Sequence, residues 1–129
     1  MSNLKLKHND NNLLSVLNIW PETAFLGVYP RDKSLIQDLS QGFLNPKKNE
    51  FLFTGTISNY ENNYYNSALL LNSKKEVKNI YSKNILVPFG EFVPFRKILP
   101  RFDFFESKID FSSSHQINPI AINKYYKFV

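Results

Sequence analysis

Glu22 directly follows an apolar run, in Trp20-Pro21-Glu22-Thr23-Ala24. In open α/β sheets, functional groups gather beyond the carboxyl ends of strands. A carboxylate there, packed beside Trp20, would be partly desolvated, and its pKa would rise toward that of a useful general base. Position alone favours a solvated turn glutamate. Lys83 closes another apolar run, in Tyr81-Ser82-Lys83. A lysine at a strand end can stabilise an oxyanion; taken alone it reads first as a surface lysine. Glu91 follows Gly90 in a proline-rich stretch. It would orient Lys83, act as a second carboxylate, or simply occupy a turn. Asn66, in Tyr65-Asn66-Ser67, suits side-chain hydrogen bonds that tie a loop rather than catalysis.

Other chemistries find little support. His8 and His115 stand alone in polar segments with no second ligand at metal spacing, and read as surface histidines. The sequence contains no P-loop, GxGxxG, GxSxG or HExxH. It contains no cysteine, which excludes disulfides, thiolate metal sites and a cysteine nucleophile within these 129 residues. The expectation is a site with no metal and no cofactor.

The frame that would hold these residues is of ordinary domain size. Apolar residues make up 43% of the chain, with twelve Phe and seven Tyr, enough for a bulky aromatic core. The net charge of +5 comes mainly from scattered lysines. Attraction to anionic lipid or nucleic acid is one reading; compositional drift toward Asn, Lys, Ile, Tyr and Phe is the simpler one, since no dense basic block appears. No apolar run reaches the ~18 residues of a membrane helix, and the start shows no signal peptide.

Residues 1–12 read as a polar lead-in. Leu13 to Trp20 reads as a short buried strand stopped by Pro21. Arg31 to Gly42 reads as a helix, with Asp32 as N-cap and Leu35, Ile36 and Leu39 as its apolar stripe. Asn45 to Asn49 is a turn, Glu50 to Ile57 a strand, Ser58 to Asn63 a loop, and Tyr64 to Leu71 a strand. A turn at Asn72 to Glu76 leads to a strand over Val77 to Tyr81. Asn84 to Pro100 is expected to be an ordered loop with a short helix near Lys97 to Leu99, and a loop of that length is usually functional. Arg101 to Pro119 is irregular, and Ala121 to Val129 reads as one or two strands.

In order, these segments resemble the apolipoprotein N-acyltransferases of bacterial inner membranes, within the carbon-nitrogen hydrolase (nitrilase) superfamily. The resemblance rests on Trp20-Pro21-Glu22, on Tyr65-Asn66-Ser67, and above all on Tyr81 to Pro94 (YSKNILVPFGEFVP). It covers about Leu13 to the C-terminus. It implies an α/β (α+β) fold, a partial nitrilase-like α-β-β-α sandwich incomplete at the C-terminus, with residues 13–129 as the N-terminal portion of the hydrolase domain. By the same resemblance Glu22 matches the general base and Lys83 the residue that steadies the tetrahedral intermediate. Glu91 matches a further carboxylate needed in the site. Trp20, Asn66 and Gly90 would be structural neighbours of these three.

The implied chemistry is ping-pong acyl transfer from a membrane phospholipid, through a cysteine thioester, to the α-amine of a lipoprotein's diacylglyceryl-cysteine. Relatives of this kind carry membrane helices before the domain, and their nucleophile follows shortly after an apolar strand, in a Cys-Tyr-Glu element that lies beyond Val129. Leu26 replaces a proline often seen in such relatives after the Ala24-Phe25 pair. The expectation is a fragment cut upstream of the nucleophile, inactive alone unless a second fragment carries the cysteine. The family location would be the inner membrane with the domain on its periplasmic side; a fragment without an anchor would stay cytoplasmic. Rival expectations are a fragment of a soluble nitrilase or amidase, a non-enzymatic remnant, or a basic module binding single-stranded nucleic acid, the last being disfavoured.

Overall fold

The structure is a computed structural model and describes residues 2–6, 15–22, 24–88, 91–92, 110–114, 120–121 and 127–128. Gly90, both histidines and the helix expected near Lys97 to Leu99 lie outside the described residues. The elements run β1 (Ser2–Leu6), β2 (Ser15–Ile19), β3 (Val28–Tyr29), α1 (Lys33–Leu39), a 3-10 turn (Ser40–Gly42), β4 (Glu50–Tyr60), β5 (Asn63–Asn72), β6 (Val77–Ser82), β7 (Ile120–Ala121) and β8 (Lys127–Phe128). Among the described residues, no helix is long and apolar enough to cross a membrane.

Six strands form one mixed sheet in the order β1-β2-β4-β5-β6, with β3 also on β4. β4 is its spine. One edge carries β2 in parallel at Glu50 to Phe53 and then β3 in parallel at Ile57 and Ser58. The other edge carries β5, antiparallel along its whole length. β7 and β8 pair antiparallel as a separate ribbon.

Strand alternation sends side chains to opposite faces, and both faces are apolar near the middle of β4 and β5. On the helix side Leu52, Leu69 and Leu71 pack with Phe25, Ile36 and Leu44. On the other side Leu17, Leu70 and Ile120 pack with Phe51, Phe53 and Tyr81. Leu17, Leu52, Leu69, Leu70 and Leu71 are all under 2% exposed, and each such burial contributes about 1.5–3 kcal/mol.

The helix side also buries a row of hydroxyls. Ser58 Oγ lies 2.6 Å from Ser67 Oγ, which lies 2.9 Å from Ser82 Oγ, so one chain of hydrogen bonds crosses β4, β5 and β6. Buried hydroxyls need such partners. A β-bulge at Leu70/Leu71 lets β6 accommodate Lys78 between the pairs Leu71–Val77 and Leu70–Asn79. Val77 and Ile80, three residues apart, therefore both pack on the helix-side core.

Several expectations are corrected here. The polar lead-in supplies β1, whose five residues pair antiparallel with β2. The loop expected from Ser58 to Asn63 is a two-residue hairpin. β4 continues to Tyr60, and only Glu61 and Asn62 turn, both at positive φ (51° and 64°). Ser58 stays in the ladder because its hydroxyl finds Ser67. The helix is shorter than expected, and its stripe does not meet the sheet as a unit: Ile36 is buried, while Leu35 and Leu39 are about half exposed. Phe25 and Leu44, from the flanking segments, fill that space instead. Asp32 occupies the N-cap position without a side-chain cap bond. Its carboxylate accepts the Val28 N–H at 2.8 Å and pairs with Arg31.

Gly27, just before β3, is a close approach. The Thr56 hydroxyl donates to its carbonyl at 3.0 Å. A methyl on Gly27 would overlap the buried Phe25 ring and come within 3.0 Å of Asp32 Cβ. Gly27→Ala is expected to destabilise the fold by about 1–3 kcal/mol, read as a lower midpoint of chemical denaturation with an unchanged slope.

Candidate active site

The first site residue arrives because the chain leaves the ladder. Trp20 N–H donates to Phe53 O at 2.9 Å, and Phe25 N–H donates to Gly55 O at 3.2 Å. Five steps along this segment thus match two steps along β4, and the surplus is looped out. Pro21, which has no N–H to give the ladder, opens the loop, and its carbonyl accepts the Ala24 N–H at 3.2 Å. Phe25, buried in the core, anchors the return. Glu22 rides on this loop with its side chain 64% exposed. Trp20 turns away from it, toward the helix-side core, where its ring meets Phe43 edge-on at 4.8 Å. Trp20 therefore packs on the helix-side core and not beside Glu22.

Asn66 lies within β5, and Lys83 follows directly on the end of the neighbouring β6. Lys83 N–H donates to Asn66 O at 2.8 Å, one step beyond the Ser67–Ser82 pair. Since Ser67 and Ser82 turn their hydroxyls to the helix side, alternation sends Asn66 and Lys83 to the opposite face.

Glu91 completes the group from the segment after β6. Its Oε1 accepts from Lys83 Nζ at 3.0 Å and from Asn66 Nδ2 at 2.6 Å. Its Oε2 accepts the Val87 N–H at 2.7 Å, and its own N–H returns to Val87 O at 2.9 Å. Asn66 Nδ2 also donates to Glu22 Oε1 at 2.5 Å. Lys83 Nζ stands 3.7 Å from the same Glu22 oxygen. One amide nitrogen and one ammonium thus bridge two carboxylates. With two acceptors against it, Asn66 must present its NH₂ here; its carbonyl oxygen would meet like charge. The structure therefore brings Glu22, Asn66, Lys83 and Glu91 together, and leaves Trp20 on the other face.

The two carboxylates differ in surroundings. Glu91 is 12% exposed and Glu22 64%. Burial alone would raise the Glu91 pKa, but the Val87 N–H, the Asn66 amide and the Lys83 ammonium together hold it below the usual carboxylate range. The hydrogen bond to Glu91, aided by the nearby charges of Glu91 and Glu22, raises Lys83 above its ordinary value despite some desolvation. Among the described residues, no group of three or more His, Cys, Asp and Glu is placed to hold a metal ion.

Sequence reasoning missed one contributor, residues 111–114, which it read as irregular. Phe111 N–H donates to Glu91 O at 2.9 Å, Ser112 N–H to Tyr64 O at 2.7 Å, and Ser114 N–H to Lys83 O at 3.1 Å. These are backbone bonds, and a run of serines carries no periodic signal that would announce them.

The shifts give a sign. Glu91 sits below its unfolded value, so its contribution to stability is present above that value and lost as pH falls through the folded one. Lys83 sits above its unfolded value, so its contribution is present below that value and lost as pH rises through the folded one. Thermal melts of wild type and Glu91→Gln should differ most near neutrality. The gap should close as pH falls below the ordinary carboxyl value of 4.5. The corresponding gap for Lys83→Met should close above 10.5.

No family model matches the chain. Over 101 residues it is 36% identical to the apolipoprotein N-acyltransferase of Methylococcus capsulatus, covering 72% of this chain and 17% of that protein. The enzyme of the same name from Wigglesworthia glossinidia brevipalpis is 34% identical over 95 residues, covering 70% and 18%. That from Shewanella oneidensis is 28% identical over 109 residues, covering 74% and 20%. The chain thus spans a fifth or less of the length of these relatives. Among solved structures, an N-terminal amidase with an Asn-Glu-Ala peptide superposes with a TM-score of 0.50 at 18% identity, over 81% of this chain and 24% of that one. That likeness fixes the fold class as the mixed-sheet, nitrilase-like α/β type, present here in part. Over the stretch shared with its relatives, the chain belongs to the apolipoprotein N-acyltransferase family.

Proposed function

We propose that Glu22, Lys83, Glu91 and Asn66 are the base-and-cation half of an acyl-transfer site. The nucleophile is a cysteine thiol supplied by polypeptide outside these 129 residues, since they contain no cysteine. Residues 13–129, extended by β1, form the N-terminal portion of a carbon-nitrogen hydrolase domain. The donor is a membrane phospholipid, and the acceptor is the free α-amine of a lipoprotein's lipid-modified N-terminal cysteine. The domain works at the outer, periplasmic face of a bacterial inner membrane. The observation that carries this reading is the Lys83 ammonium between two carboxylates, 3.0 Å from Glu91 and 3.7 Å from Glu22.

The roles divide by environment. Three donors stabilise the Glu91 anion, which makes it a poor proton acceptor and a good anchor for Lys83. Glu22 is exposed on its loop and has room to meet a thiol. It takes the thiol proton as sulfur attacks the ester carbon of the phospholipid. The carbonyl electrons move onto oxygen, where the Lys83 ammonium meets the new negative charge. Collapse expels the lysophospholipid alkoxide, which takes the proton back from Glu22 and leaves a thioester. The acceptor amine then attacks the thioester carbon. Glu22 takes the amine proton and returns it to the departing thiolate, leaving an amide. Asn66 keeps the Glu22 carboxylate within reach of Lys83.

The test is a chimera in which this sequence replaces the matching stretch of the Methylococcus capsulatus relative, which would supply the remaining chain. N-acylation of a diacylglyceryl-cysteine peptide is measured with a phospholipid donor. The chimera should transfer the acyl group, and the 129-residue chain alone should not. Glu22→Gln or Lys83→Ala in the chimera should each lower turnover by roughly 10²–10⁴-fold. A chimera indifferent to both changes, or acylated product from the purified chain alone, would overturn the assignment.

A further inference from the structure

We infer that residues 111–114 are a positioning strap for the site, one that holds the Glu91-bearing segment against the strand ends carrying Lys83 and Asn66. Four consecutive residues reach three separate pieces of the site. Phe111 N–H ends on the Glu91 carbonyl at 2.9 Å, Ser112 N–H on the Tyr64 carbonyl at 2.7 Å, and Ser114 N–H on the Lys83 carbonyl at 3.1 Å. Ser113 Oγ donates to the Asn84 carbonyl at 2.7 Å. With its amide oriented by its hydrogen bonds, Asn84 Nδ2 donates back to the Ser114 carbonyl at 2.7 Å and to the Ser82 carbonyl at 3.3 Å. Tyr64 and Phe111 also form a parallel β-bridge.

The need for a strap follows from the topology. β6 stays on β5 only as far as Ser82, with one further bond from Lys83 N–H to Asn66 O. Beyond that point the chain leaves the sheet, and nothing in the ladder dictates where Glu91 returns. The strap takes up the vacated edge of β5 at Tyr64 and bonds Lys83 on one side and Glu91 on the other. It acts through the backbone at Lys83 and Glu91, so it positions the ion pair without entering it. The inference deepens the proposed acyl-transfer reading by naming what sets the distance between its cation and its anchoring carboxylate. Its test reads the coupling of the two groups across that distance and does not depend on any acyl transfer.

Proline separates the backbone bond from the side chain, because it removes the N–H. Ser114→Pro deletes the bond to Lys83 and Phe111→Pro the bond to Glu91, whereas Ser114→Ala keeps its N–H. Carboxyl and ammonium titrations of Glu91 and Lys83 are followed by NMR in the full 129-residue chain. Ser114→Ala should titrate as wild type. Each proline variant should move the Glu91 titration up toward the ordinary carboxyl range, because charge-stabilising contacts are lost. Wild-type titrations in both proline variants, or the same change in Ser114→Ala, overturn the strap. If the proline variants do not fold, amide exchange in the unmodified chain decides. Phe111, Ser112 and Ser114 should exchange with Lys83 and Glu91 as one unit; exchange more than ~10-fold faster at all three overturns it.

Discussion

The arrangement depends on a constraint at one edge of β4. Two short parallel strands, β2 and β3, share that edge end to end, and the chain between them is longer than the gap it must cross. The surplus cannot stay in the ladder, so it loops out, and the loop carries Glu22. On the opposite edge, β5 is locked to β4 over ten residue pairs from Phe51–Asn72 to Tyr60–Asn63. That register sets Asn66 opposite Ile57, two residues past Gly55, where the loop rejoins β4, and within reach of Glu22. A backbone hydrogen-bond pattern, formed for reasons of sheet stability, thus brings a carboxylate and an amide together from 44 residues apart in sequence.

Electrostatics then assigns different work to similar groups. Two glutamates share one lysine and one asparagine, and their surroundings separate them. Glu91 is fixed through both carboxylate oxygens and through its backbone, so its charge is part of the scaffold. Glu22 is held through one oxygen and stays open to solvent. A pair of like groups pushed into unlike environments is a common way to obtain one anchor and one reactive group from the same chemistry.

Much of this was legible in the sequence, and the remainder follows a pattern. The long central strands were visible because runs such as Phe51-Leu52-Phe53 and Ala68 to Leu71 are bounded by turn residues. Glu22, Lys83 and Glu91 were singled out by their places beside apolar runs and by family resemblance. β1 was hidden because Ser-Asn-Leu-Lys-Leu looks like a polar tail and joins the sheet only when β2 offers it an edge. The hairpin end was hidden because Ser58 and Asn59 resemble loop residues, and only the hydroxyl of Ser67 explains why Ser58 remains in the strand. The packing of Trp20 beside Glu22 was misjudged because adjacency in sequence does not imply contact. The chain turns at Pro21, and the indole goes to the other face. The role of residues 111–114 was invisible because backbone carbonyls accept from any residue.

The bulge between β5 and β6 has a further bearing on the site. A strand that alternates strictly fixes every later side chain by even or odd count. Lys78 adds one to that count, so residues from Asn79 onward have the parity opposite to an uninterrupted strand. Ser82 thereby reaches the hydroxyl row, and Lys83 reaches the carboxylates. Without the bulge, the same sequence in strict alternation would turn the ammonium toward the leucine core and a hydroxyl toward Glu91. The side to which the cation points is thus decided five positions upstream, by an exposed lysine that contributes only its place in the numbering of the strand.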